Sequence, residues 1–287
     1  MRQRDAGAAS RALRLRRIVA DTVERIDDGH CLGLAAQLAY FFLLAIFPAL
    51  LCVVALIGYF PVQDALTDVL LIIGPVAPHA LVELLTDQVG DMSGEGRVGL
   101  ATAGIAGALF SSSAAMVAII ETLNRTCRVT EWRPWWKRRL VALVLTVAFG
   151  AFTAVSLLLI LVGPEVARRV AGQLGLEGVV TPLWQWVRWP VMVALVAVAL
   201  DLVYHFAPNR VQRWSWFTPG ALVATGLWIL GSFAFKLYVT HMGTFNVTYG
   251  AIGGGIVVLL WLYVSSLAIL IGAALNTAIA APRQSGP

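Results

Sequence analysis

Charge is scarce in this chain. Only 13% of its 287 residues are Asp, Glu, Lys or Arg, while 59% are hydrophobic before 26 glycines are counted. Soluble globular chains carry about 25% charge, so the composition excludes a disordered chain and argues against a soluble enzyme. Paired cysteine is also missing. Cys31, Cys52 and Cys127 are scattered and odd in number, which fits neither a disulfide framework nor a zinc site, and reads as small apolar filling. No His-Glu-x-x-His, Cys-x-x-Cys, Gly-x-Ser-x-Gly or P-loop pattern occurs, and the four histidines His30, His79, His205 and His241 are dispersed. That leaves no assignable catalytic residue, metal site or cofactor site. Strand alternation of the barrel kind is absent too.

What is present is long apolar runs. Six stretches reach the roughly 20 residues that a bilayer core requires, at about residues 37–60, 98–123, 139–162, 183–206, 216–240 and 249–280. The expected fold is therefore all-α: a polytopic membrane protein of six transmembrane helices with amphipathic interfacial helices. Residues 1–36 form an amphipathic cytoplasmic segment, residues 37–281 the membrane domain and residues 282–287 a cytoplasmic tail. The first apolar stretch begins too far in, and runs too long, for a cleavable signal peptide.

Lys and Arg fall unequally between the spans. Sixteen lie in the amino-terminal segment, the loop from Arg125 to Arg139, the loop with Arg210 and Arg213, and the tail; five lie in the alternate loops. With the positive side inside, both termini are cytoplasmic. The net charge of +5 then reflects orientation, and a nucleic-acid partner is not required to explain it. Eight of the ten tryptophans stand at span boundaries, as headgroup-level residues do; Trp228 and Trp261 lie inside spans.

Outside the bilayer, Leu15, Ile18, Val19, Val23 and Ile26 recur at helical spacing opposite Arg14, Arg17, Asp21, Glu24 and Arg25. This predicts a helix that lies on the inner leaflet or docks on the protein's own cytoplasmic face, with Asp21 able to pair with Arg17 or Arg25. The outer loop, residues 61–97, predicts two short amphipathic helices acting as a lid or as a structural cap.

Small residues at intervals of four, Gly107 and Ser111 in span two, Gly250, Gly254 and Gly272 in span six, let backbones approach closely. They place those spans at the bundle centre or at a homodimer seam. Pro48 inside span one is a candidate hinge, whereas Pro190 and Pro219 read as helix-start residues.

Polar groups at membrane depth are expensive and default to functional hypotheses. Gln37, Glu121, Asn124, Arg125, Asp201, His205 and Asn276 all fall toward the cytoplasmic third. They predict one polar cluster open to the cytoplasm, with Glu121 paired to Arg125 and Asp201 to His205 at helical spacing; snorkelling or capping is the alternative use of the same groups.

The stretches Gln37-Leu38-Ala39-Tyr40 to Phe47-Pro48, Ser111 to Ser113 leading to Asn124-Arg125, Trp216-Phe217-Thr218-Pro219-Gly220, and Tyr249-Gly250 through Trp261-Leu262-Tyr263 to Gly272-Ala273-Ala274-Leu275-Asn276 resemble the YihY/BrkB family of bacterial inner-membrane proteins. The resemblance spans about residues 30 to 280 and omits the outer loop. It implies six spans and cytoplasmic termini. Family members are described as virulence-factor-like or transporter-like, and were once labelled ribonuclease BN, a label that neither a metal cluster nor a basic aromatic groove supports here. The expectation is a transporter or a translocator of lipid or small solute, with membrane lipids as partners. Its rival is a non-catalytic scaffold for envelope assembly.

Overall fold

The computed structural model describes residues 16–57, 98–161, 163–174, 177–210, 215–241 and 245–280. All regular structure among them is helical. The helices are α1 (Arg16–Asp28), α2 (Cys31–Ile57), α3 (Val98–Thr126), α4 (Trp135–Leu161), α5 (Gly163–Leu174), α6 (Glu177–Phe206), α7 (Pro219–His241) and α8 (Phe245–Ala280). The expected outer helices of residues 61–97 and the tail at 282–287 lie outside the described residues.

The six long helices stand where the apolar runs predicted them, with ends shifted by a few residues. α4, α6, α7 and α8 each contain a stretch long and apolar enough to cross a membrane, and α1 with the first half of α2 forms a fifth, bent by 62°. α3, with 29 residues, does not meet the same test among the described residues, so four or five of the six expected crossings are found. The chain is an all-α polytopic membrane protein. α2 packs most extensively on α3 and also on α8, α8 pairs with α7, and α4 covers α3.

Helix starts and stops explain the connections. α3 ends in a Schellman motif: Val129 N–H donates to the Asn124 carbonyl at 2.8 Å and Arg128 N–H to Arg125 at 3.0 Å. Arg128 takes the left-handed conformation that such a motif needs, with φ of 56°. His30, with φ of 48°, turns α1 into α2 in the same manner. α1 divides its apolar residues between two surroundings. Thr22 is buried and Ile26 packs against the core, so one face of this helix docks on the protein itself, while Val19 and Val23 are exposed. Asp21 pairs with Arg25 at 3.2 Å.

Two features depart from the sequence reading. α6 begins at Glu177, so Pro190 lies well inside it rather than at its start. α5 was not anticipated. Its apolar residues Val166, Ala167, Val170, Ala171 and Leu174 follow helical spacing, but twelve residues are too few to stand out against the long flanking spans.

Burial is concentrated at one end; toward the other, Ala167 and Ala171 of α5 are buried. The core consists of Cys31 to Ala39 on α2, Ala115 to Leu123 on α3 and Ala142 and Leu145 on α4. It continues with Ala197 to Ala207 at the end of α6, Ala221 and Ala224 on α7, and Leu262 to Ala278 on α8. This end also carries α1 and the Arg-rich connection 127–134, and is called the basic end below. Toward the other end, no described residue of α4 beyond Leu145, of α7 beyond Thr225, of α6 before Ala197 or of α8 before Leu262 is buried. Trp228 and Trp261 meet edge to face there, 6.3 Å between centroids. Their indole N–H groups donate to Ser265 and Ser232, which satisfies both at membrane depth.

Candidate functional site

The first turn of α7 has a complete hydrogen-bond account. Four amides at a helix start lack intrahelical acceptors, and each is dealt with differently. Pro219 has no amide hydrogen. Gly220 N–H donates to Asn276 Oδ1 at 2.8 Å, and Ala221 N–H to Thr218 Oγ1 at 3.3 Å. Thr218 is thus the N-cap, the position where a hydroxyl is preferred, and Pro219 follows at the position that suits proline.

Two neighbouring helices grip this cap. Asp201, near the end of α6 and 2% exposed, accepts the Thr218 hydroxyl at 2.5 Å and the Thr218 N–H at 3.2 and 3.3 Å. Asn276 on α8 donates its Nδ2 to Thr218 Oγ1 at 2.9 Å. The carboxylate thus faces the positive end of the α7 dipole. Phe217, just before the cap, is held at φ of 53°, an outlier for a bulky residue that the surrounding contacts must enforce.

A close backbone crossing lies beside this cap. A Cβ on Gly272 would meet Tyr204 Oη, lie 2.5 Å from the Gly220 carbonyl and 2.7 Å from the Ala224 Cβ. One on Gly220 would meet the Gly272 carbonyl and Asn276. Tyr204 Oη donates to the Ile269 carbonyl at 2.7 Å. Glycine is required at both positions so that α7 and α8 can touch.

A second knot ties α3 to the end of α6. Asn124 Nδ2 donates to Glu131 Oε2 at 2.8 Å, and its Oδ1 accepts from Asn209 N–H at 2.8 Å. Asn209 Nδ2 donates to the Thr130 carbonyl. Arg133 pairs with Glu131 at 2.8 Å and donates to the carbonyls of Ala207 at 2.7 Å and Phe206 at 3.4 Å, placing a cation on the negative end of α6. Arg210, reaching Thr277 at 3.3 Å, joins the two knots, since Thr277 also lies 3.3 Å from Cys127 Sγ.

Burial pushes the Glu131 carboxyl up, but the hydrogen bonds and charge of Arg133 and the bond from Asn124 outweigh it, so it titrates below the usual carboxylate range. A lowered folded-state value means stabilisation that is full above the unfolded value of about 4.3 and is lost as pH falls through the lower, folded one. Glu131→Gln should therefore lower the melting temperature at pH 7, and its melting curve should converge with that of the parent chain in acid.

Of the seven polar residues read from the sequence, Asn124, Asp201 and Asn276 enter these knots. They are buried and bonded within the protein, where an open cluster was expected. Glu121 pairs with Arg138 at 3.1 Å rather than with Arg125, which is exposed. The chain turns at 127–134 and brings the first turn of α4 back against α3, so a residue of the next helix outcompetes the one a turn away. Asp201 takes Thr218 in place of His205, whose ring stands edge-on to Phe206 at 4.7 Å. Gln37 lies half-buried on α2. Thr218, Gly220, Asn209, Glu131 and Arg133 were missed. Thr218-Pro219-Gly220 carried a readable N-cap signal, but tertiary contact alone reveals the partners of Asn209 and Glu131.

The packing residues also separate. Gly272 is at a crossing, whereas a Cβ on Gly107 or Gly254 would meet nothing, and Ser111 is exposed. Those three positions face outward, in correction of a place at the bundle centre. Gly250 lies in the first turns of α8 and Pro48 inside α2. Among the described residues no group of three or more His, Cys, Asp or Glu could hold a metal ion.

Comparison with known proteins gives the chain its relatives. The family model for virulence factor BrkB matches residues 22–286. A Bacillus subtilis (strain 168) protein named ribonuclease-like protein YfkH is 35% identical over 244 residues, covering 84% of this chain and 87% of the relative. A UPF0761 membrane protein of Halorhodospira halophila (strain DSM 244 / SL1) is 30% identical over 90% of this chain and 56% of its own length. One of Ralstonia nicotianae (strain ATCC BAA-1114 / GMI1000) is 25% identical over 94% of this chain and 60% of its own. The chain thus spans little more than half the length of these UPF0761 relatives. No solved structure matches. Helical architecture and the match over nearly the whole chain agree: this is a multi-pass bacterial membrane protein that belongs to the BrkB family.

Proposed function

We propose that the chain is a translocator of lipid or small amphiphilic solute in the bacterial inner membrane, with both termini in the cytoplasm. The observation that carries this reading is the concentration of burial at the basic end. The surplus of Lys and Arg assigns that end to the cytoplasm. There the helices are closed upon each other by the two knots, while toward the outer side the described residues of α4, α6, α7 and α8 remain unburied and burial is limited to Ala167 and Ala171 of α5. A bundle shut at one face and loosely packed at the other is one half of an alternating-access cycle. In this reading the Asp201, Thr218 and Asn276 clasp is the inner gate, and Pro48 and Gly250 to Gly255 let the outer arms move. No bond-making chemistry is assigned: the protein is not an enzyme, and the ribonuclease-like wording of the Bacillus relative is not carried over.

A scaffold role in envelope assembly is the second reading. It is favoured by the internal pairing of Asn124, Asp201 and Asn276, since a static protein has no need to expose them. A homodimer would use the outward face of Gly107, Ser111 and Gly254.

Flux separates the two. The full chain in vesicles should accelerate the exchange of a fluorescent phospholipid between leaflets above protein-free vesicles. Asn276→Ala, which loosens the gate, should change that rate several-fold, while Glu121→Gln leaves it near the parent value. Exchange no faster than in empty vesicles, together with full cellular function of Asp201→Asn, would leave the scaffold reading standing alone.

A further inference from the structure

Arg139 is not part of either knot. It sits in the second turn of α4, and its guanidinium lies over the ring of Phe110, 3.8 Å from the centroid, with Nη2 donating to the Phe110 carbonyl. Phe110 is about 24 Å along α3 from the helix end at Thr126, by the rise per residue. The charge is therefore drawn inward along the flank of the bundle rather than out toward water.

Its surroundings supply no anion. Glu121, the acidic residue on α3, is taken by Arg138, and among the described residues no carboxylate pairs with Arg139. Its Nε is covered and has no acceptor, and neither has Ser112 Oγ nearby in sequence to Phe110. Around it the α3 flank is open: Phe110 is 51% exposed, Ser111 and Ala114 are exposed, and Gly107 has free space beside it. A cation at membrane depth ordinarily pairs with a counter-charge or marks a functional site. This one has a carbonyl and an aromatic face in place of a counter-ion.

We infer that Arg139 and the Phe110 to Ala114 flank of α3 bind the anionic headgroup of a phospholipid from the basic-side leaflet. The phosphate accepts hydrogen bonds from the guanidinium, a charge-assisted geometry for which arginine is suited. The headgroup then sits over Phe110 and Ala114, and an acyl chain runs past Phe110 toward Gly107, beside which the space is free. Trp135 and Trp136, both exposed, and Lys137, 5.2 Å from the Trp136 ring, precede Arg139 within the first turn of α4, on the side of the basic end. The site does not depend on translocation: a static monomer would hold the same lipid, whereas a homodimer closed over Gly107 and Ser111 would exclude it.

The test uses the full chain in nanodiscs of phosphatidylcholine alone or with about one-fifth phosphatidylglycerol, lipid retention being read by native mass spectrometry. The parent chain should retain phosphatidylglycerol over phosphatidylcholine. Arg139→Gln should lose that preference at least fivefold, Arg139→Lys should lose part of it, and Lys137→Gln should lose less. Ala114→Leu keeps the arginine and fills the headgroup's place, so it should weaken retention even if Arg139→Gln fails to fold. Undiminished preference in a folded Arg139→Gln, or in Ala114→Leu, would overturn the assignment. Displacement of the lipid by millimolar inorganic phosphate would overturn it as well, since the site would then read a free anion and not an amphiphile.

Discussion

Replacing Gly272 by valine is expected to abolish the folded membrane domain or to lower its stability by about 3 kcal/mol or more, the upper range for overpacking a core. The added atoms collide with backbone and with a bonded hydroxyl, none of which is the free end of a flexible side chain. Gly220 lies across the same crossing, its carbonyl 2.5 Å from where the new Cβ would be, so α7 would have to move away from α8 and release the Thr218 cap as it went. Gly220→Val should behave alike, and the double variant should be little worse than either single one, because one separation relieves both clashes. Gly254→Ala is the control. Nothing lies within 4 Å of its Cβ position, and alanine is the better helix former by about 1 kcal/mol, so the melting temperature should hold or rise. Thermal unfolding in detergent, followed by size-exclusion fluorescence, measures all four. Equal melting temperatures for Gly272→Val and the parent chain would mean that the two helices do not cross there.

Asp201→Leu carries the next largest expectation. It removes an acceptor from the Thr218 hydroxyl and from the Thr218 amide, both buried, and unsatisfied donors of this kind cost about 1–3 kcal/mol each. It also removes the negative charge facing the α7 dipole. The expected loss is about 3–5 kcal/mol, in line with breaking one side of a buried polar pair. Asp201→Asn preserves an acceptor oxygen and should lose less than half as much. Thr218→Val in the Asp201→Leu background should cost little further, since the hydroxyl has already lost its partner. If leucine at 201 proves as stable as aspartate, the contact is not holding α7 in place.

The long helices were legible because each is an unbroken apolar run, and a run of that length has few other structures open to it. The ends were less so. Pro190 was misplaced because proline within a long membrane helix is tolerated when neighbouring groups take up the freed carbonyl, and composition alone does not distinguish that case from a helix start. Asn124, Asp201 and Asn276 were recognisable as consequential since amides and carboxylates at such depth are costly. Their partners were not. Helical spacing gave Arg125 and His205, while the fold supplied Arg138 and Thr218 from elements distant in sequence, on α4 and at the start of α7. Gly107 and Gly272 show the same limit in another form. Both belong to small-residue series in the sequence, yet one faces outward and the other sits at a helix crossing, because spacing identifies a face without saying what covers it.

The uneven packing has a mechanical consequence. α8 is 36 residues long, and its described side chains from Gly254 to Trp261 are unburied. Pivoting at the Gly220 and Gly272 contact, about 40 Å of helix from the tip at Phe245, a tilt of about 10° at the base would carry that tip by roughly 7 Å. The clasp is thus the fulcrum of a lever, and displacements of a few tenths of an ångström among Asp201, Thr218 and Asn276 are enlarged at the opposite face of the membrane.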